Sequence, residues 1–420
     1  MPPIRLATAS PASGPTTAAT LRHIALLASR ASAHGADLLL LPEAYLGAGY
    51  PRGASFGSKI GSRAPEGRDE YLAYFCAAVD LGDTVGRAGA GAGDDEGGGG
   101  RPGRGDGTRE ELEAIAGRTG VFLVVGCIER AGGSLYCSVV YVCPRLGVIG
   151  KRRKVMPTAT ERLIWAQGSP ATLRAVSTTI KGVRVNLAAA ICWENYMPLL
   201  RQALYAQNVN LYLAPTADGR DTWLPLMRTV ACEGRCFVVS SNMAARQATP
   251  ASPSTSSSSS AAAAAACVVE EDGFEIALPA KPANGTAAAA AAGPPPHRRR
   301  KSVIIEDGNE IVIPGEVEPL PTNGHGDGDG DGPSSRGTNG TKTAAAANWV
   351  SRGGSCIVGP FGDVLAGPQW EDDEGIIYAD VDFDDCVRGR LDIDVGGSYS
   401  RNDSFNFSVS GLDLDPLPYY

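Results

Sequence analysis

Cys192 is the residue best placed for covalent chemistry, because it follows the apolar run LAAAI and precedes WENYMPLLR, a segment that predicts a helix. A thiolate just ahead of a helix N-terminus is stabilised by the positive end of that helix. Pro198 suits the first helical turn, and Asn195 could cap it. The alternative is an ordinary buried cysteine, the interpretation that fits most of the other nine.

A histidine base for Cys192 is not favoured. The chain has four histidines, two on one early helix and two in a low-complexity tract: His23, His34, His297 and His325. A Cys–His pair of the protease kind is therefore not predicted. If Cys192 is a nucleophile, a carboxylate and a lysine must activate it.

Glu43 follows the run LLLLP, so its carboxylate lies at the C-terminal end of an apolar strand, where open α/β sheets place their sites. Burial would raise its pKa towards that of a working general base. The alternative is a surface glutamate at a strand–loop junction. The flanking AYLGAGYPRG, rich in glycine and aromatic residues, favours a pocket rim.

Lys154 and Glu161 lie seven residues apart in KRRKVMPTATERLIWAQG, and Pro157 between them indicates a turn followed by a helix. Two helical turns would allow their side chains to face each other. For Lys154 alone, membership of a solvated basic cluster with its neighbours is the better interpretation.

The elements around these residues alternate between strand and helix. Apolar runs predict strands, and apolar residues at helical spacing predict helices. This alternation, mixed with hairpins, predicts a layered α/β sandwich. The predicted strands are 4–9, 36–41, 121–129, 135–143, 183–191, 209–214, 236–241, 355–358 and 376–381, and the predicted helices are 16–33, 108–118, 198–207 and 223–233.

Two low-complexity inserts, 86–107 and 246–347, interrupt the predicted domain. Their glycine, serine, alanine and charged tracts cannot bury a core, and about 300 residues remain for one domain. Inside the second insert, EEDGFEIALP (270–279) resembles IEDGNEIVIP (305–314), which predicts a duplicated surface strand or a docking segment. The charge run HRRRK (297–301) could be a targeting patch, but a solvated run of charges is the favoured interpretation.

Composition bears on location and partners. The net charge of -8 argues against nucleic acid as the main partner. Most of the ten cysteines lie in apolar runs, which predicts free thiols in a reducing compartment, hence a cytoplasmic protein. The sequence predicts neither a leader peptide nor a membrane segment, because the start lacks the pattern of a leader and no apolar run approaches 18 residues. Cys232 and Cys236 lack the second ligand pair that zinc would need, so no metal and no cofactor is predicted.

The motifs together resemble the nitrilase family, part of the carbon–nitrogen hydrolase superfamily. The resemblance covers nearly all of the chain outside the inserts, and CWENYMPL with APTADG downstream is similar to the true nitrilase branch, with a fungal-like pattern. It implies the four-layer α-β-β-α sandwich of that family, over residues 1–395. It also implies that Cys192 is the nucleophile, Glu43 the general base, Lys154 the stabiliser of developing charge and Glu161 a second carboxylate.

Two departures from the family pattern stand out. Arg152 occupies the place where the family usually has a histidine before Arg-Lys, and Gly397–Ser398–Tyr399 replaces its late Gly-His-Tyr element. Both affect the pocket and the pH behaviour more than the reaction.

The activity implied by the resemblance is hydrolysis of an organic nitrile to the acid and ammonia, through a thioimidate and an acyl-enzyme. The substrate would be an arylaliphatic, aromatic or aliphatic nitrile in a pocket lined by Tyr50, Trp165, Trp193 and Tyr196, though each aromatic could equally be core packing. The alternatives are a cyanide hydratase or another nitrile-to-amide enzyme, an amidase or carbamoylase, and an inactive assembly or binding protein.

The C-terminal segment predicts assembly. Nitrilase relatives are homo-oligomers built from dimers, often spirals, so the resemblance implies the same here. The strand-like run DFDDCVRGRLDIDV and the aromatic tail 396–420 would be costly to expose and are expected to lie at a symmetric interface.

Overall fold

The structure, a computed structural model, describes residues 3–51, 60, 63–82, 105–246, 268–271, 274–277, 302–306, 309–313 and 349–414. The chain divides into two compact units, residues 1–280 with 347–420, and residues 281–346. Most of both predicted inserts lies outside the described residues, so their boundaries stay a prediction.

The helices and strands of the described residues follow in chain order. The strands are β1 Ile4–Ala9, β2 Leu38–Leu40, β3 Phe122–Ala131, β4 Ser134–Cys143, β5 Gly147–Arg153, β6 Val176–Ile180, β7 Val183–Ala189, β8 Leu211–Thr216, β9 Phe237–Asn242, β10 Ala244–Arg246, β11 Val268–Glu271, β12 Phe274–Ala277, β13 Ser302–Glu306, β14 Asn309–Ile313, β15 Trp349–Val358, β16 Val364–Trp370 and β17 Ile376–Val381. The helices are α1 Thr17–Ala33, α2 Pro65–Ala77, α3 Thr108–Thr119, α4 Pro198–Tyr205, α5 Trp223–Gly234 and α6 Asp384–Gly389. Short 3-10 helices cover Ala159–Leu163, Pro170–Leu173 and Cys192–Tyr196.

Two sheets form the centre of the first unit. The first sheet has the strand order β17-β1-β2-β3-β4-β5, in which β1, β2 and β3 are parallel. The second has the order β10-β15-β9-β8-β7-β6, with β16 also paired to β15, and its strands β7, β8 and β9 are parallel. The parallel strands are apolar on both faces because both faces are covered.

Alternate residues of these strands enter different core layers. In β2, Leu38 and Leu40 pack into the layer between the two sheets, whereas Leu39 packs under α1 and α3. In β8, Leu211 joins the same central layer and Tyr212 packs against α4 and α5. The order is therefore helices, sheet, sheet, helices, and the predicted four-layer α-β-β-α sandwich is confirmed.

Helix α1 shows how local sequence sets these elements. The Thr16 side chain accepts a hydrogen bond from the Ala19 N–H at 3.1 Å and so caps the helix. Ile24, Leu27 and Ala28 are fully buried on one face, at the spacing that the sequence predicted.

One predicted element was wrong, and a second was incomplete. The run DFDDCVRGRLDIDV is not a strand but contains α6, where the Asp382 side chain accepts from the Asp384 N–H at 3.1 Å and Arg388 pairs with Asp382 and Asp385. Acidic residues at the start of a short helix and arginine at its end favour that conformation. Each repeat of the insert contributes to an antiparallel hairpin, β11–β12 or β13–β14, rather than to a single strand.

Candidate active site

The predicted site residues follow the ends of three strands. Glu43 comes three residues after β2, Lys154 directly follows β5, and Cys192 begins the 3-10 helix after β7. All three are at most 1% exposed. Strands from both sheets therefore deliver their side chains to the layer between the sheets.

Lys154 bridges two carboxylates. Its Nζ donates to Glu43 Oε1 and to Glu161 Oε2, both at 2.7 Å. Glu161 lies in the 3-10 helix after Pro157, and its Oε2 also accepts from the Thr158 N–H at 2.6 Å. Pro157 thus starts a turn, as predicted, and the turn brings Glu161 against Lys154.

Glu43 keeps one oxygen available. Oε1 accepts from Lys154 and, at 3.5 Å, from the Cys137 thiol, whereas the buried Oε2 has no hydrogen-bond partner among the described residues. The loop carrying Glu43 lies tightly on β3, because a Cβ at Gly126 would stand 2.1 Å from the Pro42 carbonyl oxygen. Glycine at 126 is therefore needed for the carboxylate to reach this position.

Cys192 has a left-handed backbone, with φ at 54°, a conformation that is costly for a residue other than glycine. Asn195 holds it by donating to the carbonyl oxygens of Ala190 and Cys192 at 2.9 and 2.7 Å, and Tyr212 fixes Asn195 at 2.9 Å. The prediction that Asn195 caps α4 was therefore wrong, since its amide serves the turn at Cys192.

Burial dominates the electrostatics of the site. It raises the pKa of Glu43 to about 6, and Lys154 only partly opposes it. Burial, together with Glu43, holds the pKa of the Cys192 thiol well above its ordinary value. The expected stabilisation of a thiolate by a helix end is thus outweighed, because α4 begins six residues further on. The resting thiol is neutral and needs a base.

The cation of the site stays charged. Burial by itself lowers the pKa of Lys154, but Glu43 and Glu161 outweigh it and hold that pKa well above the ordinary range. A protonated ammonium next to two carboxylates can stabilise negative charge that develops on a bound substrate.

The four predicted pocket aromatics form two pairs. Tyr50 donates to Glu161 Oε1 at 2.8 Å and stands edge-on to Trp165, with ring centres 5.8 Å apart. Trp193 and Tyr196 form the other pair at 5.9 Å, directly after Cys192. The first pair adjoins the Lys154–Glu161 side of the site and the second adjoins the Cys192 side.

Two contributors, Cys137 and Glu194, were missed from the sequence, and Arg152 was singled out only as a departure from the family pattern. Cys137 was assigned to an apolar strand, yet its thiol reaches Glu43. Arg152 and Glu194 form a buried pair with an N–O distance of 2.6 Å. The sequence signal that could have identified Arg152 and Glu194 was their position, since Arg152 precedes Lys154 by two residues and Glu194 follows Cys192 by two. Within the part of the chain that the structure describes, no group of three or more His, Cys, Asp or Glu could hold a metal ion.

Similarity to known proteins identifies the family of this chain. Residues 5–290 match the carbon–nitrogen hydrolase family. The chain belongs to that family. The nitrilase blr3397 of Bradyrhizobium diazoefficiens is 36% identical over 95% of this chain and 89% of that protein. An arylacetonitrilase of Trametes versicolor is 34% identical over 89% of this chain and 86% of that protein.

A solved carbon–nitrogen hydrolase from Helicobacter pylori G27 has the same fold, with a TM-score of 0.52 at 14% identity, over 96% of this chain and 97% of that chain. As a member of the carbon–nitrogen hydrolase family, the chain is a hydrolase, and the prediction of that family from sequence is confirmed. Among the described helices, none is long and apolar enough to cross a membrane.

Proposed function

We propose that this carbon–nitrogen hydrolase is a nitrilase that converts an organic nitrile to the carboxylic acid and ammonia. Cys192 is the nucleophile, Glu43 the general base and Lys154 the group that stabilises charge, with Glu161 holding Lys154. The observation that carries the proposal is the single lysine shared by two buried carboxylates, one of which has a pKa of about 6 and an unpartnered oxygen. Such a carboxylate suits proton transfer near neutral pH.

The first step forms the carbon–sulfur bond. Glu43 takes the Cys192 proton as Sγ attacks the nitrile carbon, and the carbon–nitrogen triple bond becomes a double bond. Glu43 then passes that proton to the nitrogen, which regenerates its carboxylate, and the product is a thioimidate beside the Lys154 ammonium. A soft thiolate is well matched to this electrophile.

The next steps consume two water molecules. Glu43 accepts a proton from the first water as it adds to the thioimidate, which gives a tetrahedral intermediate near Lys154. Glu43 returns this proton to the nitrogen, the hydroxyl proton of the intermediate follows it, and breaking of the carbon–nitrogen bond then releases ammonia and leaves an acyl-enzyme. The second water hydrolyses that thioester to the acid and restores the thiol.

The tetrahedral intermediate also defines the main alternative. If its carbon–sulfur bond breaks before the carbon–nitrogen bond, the product is an amide, as in a cyanide hydratase or another nitrile-to-amide enzyme. Amidase or carbamoylase activity would begin from a substrate that already holds the carbonyl.

The substrate class is an arylaliphatic or aromatic nitrile, with aliphatic nitriles as the alternative. The edge-to-face pairs Tyr50–Trp165 and Trp193–Tyr196 support an apolar ring as part of the substrate, because an aromatic ring packs favourably against aromatic side chains. The similarity to an arylacetonitrilase supports both this class and the fungal-like branch, although a bacterial nitrilase is just as similar.

The test is a panel of phenylacetonitrile, benzonitrile and an aliphatic nitrile, with ammonia, acid and amide measured together. We expect equal amounts of acid and ammonia, and no turnover by Cys192→Ala at unchanged folding. Amide without ammonia would replace the proposal by a hydratase, turnover of amides alone by an amidase, and no turnover of either by the inactive binding protein.

Assembly and location also remain proposals. The exposed apolar residues Val387, Leu391, Tyr399 and Phe405 support a symmetric interface at the C-terminal segment. The nine cysteines of the described residues are all free, which supports the cytoplasmic prediction.

A further inference from the structure

We propose that the buried Arg152–Glu194 pair is a positioning pair for the reaction: it holds the segment carrying Lys154 and the segment carrying Cys192 at a fixed separation. We assign neither side chain a contact with the substrate. The inference rests on the proposed function, since it assigns these two residues to the same site.

The pair is bidentate. Arg152 Nη1 donates to Glu194 Oε2 and Nη2 donates to Oε1, both at 2.6 Å, with the two side chains 2% and 0% exposed. Two parallel charge-assisted hydrogen bonds fix the angle as well as the distance between the residues. A lysine could not reproduce this geometry.

Backbone groups on both sides complete the connection. Glu194 accepts from the Val155 N–H at 2.6 Å and from the Ile191 N–H at 2.7 Å. Arg152 Nη1 also donates to the Ala189 carbonyl oxygen at 2.7 Å. Val155 directly follows Lys154, and Ile191 directly precedes Cys192. One carboxylate therefore ties together the neighbours of the cation and of the nucleophile.

Stability alone is a poor explanation for such a pair. Replacing a buried ion pair by apolar residues is often neutral or stabilising, so the presence of this pair is not explained by stability and is consistent with a role in geometry. Here that geometry concerns a cysteine in a costly backbone conformation and a lysine from the other sheet. A misplacement of about 1 Å between reacting groups can lower a rate by about 100-fold.

The first test is Arg152→Lys, which keeps the positive charge and loses the bidentate contact with Glu194. We expect kcat for a nitrile to fall by about 10- to 100-fold with KM changed only slightly, because the substrate pocket stays intact. The matched control is Arg109→Lys. Arg109 is also buried and paired with a glutamate, Glu113, which also accepts a backbone N–H, from Val148 at 2.9 Å, but it lies on α3. The control should lose melting temperature and keep kcat.

The second test is Arg152→His, measured well below its melting temperature. A histidinium beside Glu194 has a raised pKa and keeps the ion pair at low pH, so the pair is lost as pH rises through that value. We expect kcat of this variant to fall on the alkaline side, where the wild type does not. A role in stability alone would lower the melting temperature and leave the pH profile of kcat unchanged.

Wild-type kcat in a folded, destabilised Arg152→Lys protein would overturn the proposal. If that variant does not fold, Arg152→Gln/Glu194→Gln, which removes both charges together, takes its place with the same expectation. Failure of both to fold would also overturn it, because the pair would then serve folding. Turnover by the wild type and none by Cys192→Ala is established first, so failure of the proposed function is seen separately.

Discussion

Glu43 and Glu129 are two buried carboxylates, on the loop after β2 and on β3, and they differ in how many cations pair with them. Glu129 accepts from Lys151 and Arg153 on Oε1 at 2.6 and 2.8 Å, and from Ser138 and Arg153 on Oε2 at 2.7 and 3.0 Å. Glu43 shares one lysine with Glu161 and leaves Oε2 unpartnered among the described residues.

The pKa values follow from this difference. Burial raises the pKa of both carboxyl groups. At Glu129 the cations Arg153 and Lys151 outweigh burial and hold the pKa below its ordinary value, whereas at Glu43 burial wins and the pKa is about 6. A fully paired carboxylate is a structural anchor with no affinity for a proton near neutral pH, and a half-paired one can act as a base.

The donors of both clusters come from one run of four basic residues, KRRK. Lys151 and Arg153 pair with Glu129, while Arg152 and Lys154 pair with Glu194 and Glu43. Successive side chains of a strand point to opposite faces, so alternate residues of β5 enter different environments. Identical residue types thus serve structure on one face and the site on the other.

Substitution of the two glutamates should give the largest difference in activity. Glu43→Gln keeps the shape of the side chain and removes the base, so we expect kcat for a nitrile to fall by about 10²–10⁴-fold with the fold retained. Glu129→Gln should lower the melting temperature and leave kcat near that of the wild type, because Lys151 and Arg153 lose their partner. Steady-state kinetics and thermal unfolding of both variants decide. Equal kinetic losses would show that pairing does not distinguish the two carboxylates.

The two lysines provide the next contrast. Lys154→Met removes the charge beside the thioimidate and should lower kcat by about 10²–10³-fold. Lys151→Met removes an ammonium that donates to Glu129 and to the Gly82 carbonyl oxygen, and it should change kcat little. Single-turnover ammonia release measures the chemical step directly. A Lys154→Met enzyme with wild-type release would exclude this lysine from charge stabilisation.

The pH dependence of kcat/KM distinguishes Glu43 from Glu129 in an enzyme that keeps most of its activity. Glu43 must be unprotonated to accept the Cys192 proton, so kcat/KM should fall as pH drops through about 6, about tenfold per pH unit below it. Glu129→Gln should leave this limb in place, since Glu129 is already ionised there. A limb near pH 4 in the wild type would mean that another group titrates.

The smallest expected effect concerns Cys137. Its thiol donates to Glu43 Oε1 and so favours the ionised carboxylate, and Cys137→Ala should move the acid limb of kcat/KM upward by a fraction of a pH unit. Cys143→Ala removes a buried thiol from the same strand and the same core layer without contacting Glu43, and it should not move the limb. The contrary result, an equal shift in both variants, would assign the effect to packing.

Much of the fold was predictable because its signals are local. The apolar runs of β1, β3, β4 and β8 and the helical spacing of α1, α3 and α5 need no tertiary information. Helix α2 was missed because few of its residues are buried, so its apolar residues show no clear helical period. β5 was missed because the charged end GKRR resembles a solvated basic cluster rather than a strand.

The sequence by itself determined that Glu43 and Cys192 follow the ends of apolar strands, because hydrophobic periodicity and turn residues act over a few positions. It did not place Lys154 at a strand end, since β5 was missed. Only the tertiary structure decided which partners they meet. Glu43 is 111 residues from Lys154 in the chain, and Arg152 is 42 from Glu194. These contacts depend on strand register and on how the two sheets face each other, and a shift of one residue in β5 would exchange the structural cations for those of the site.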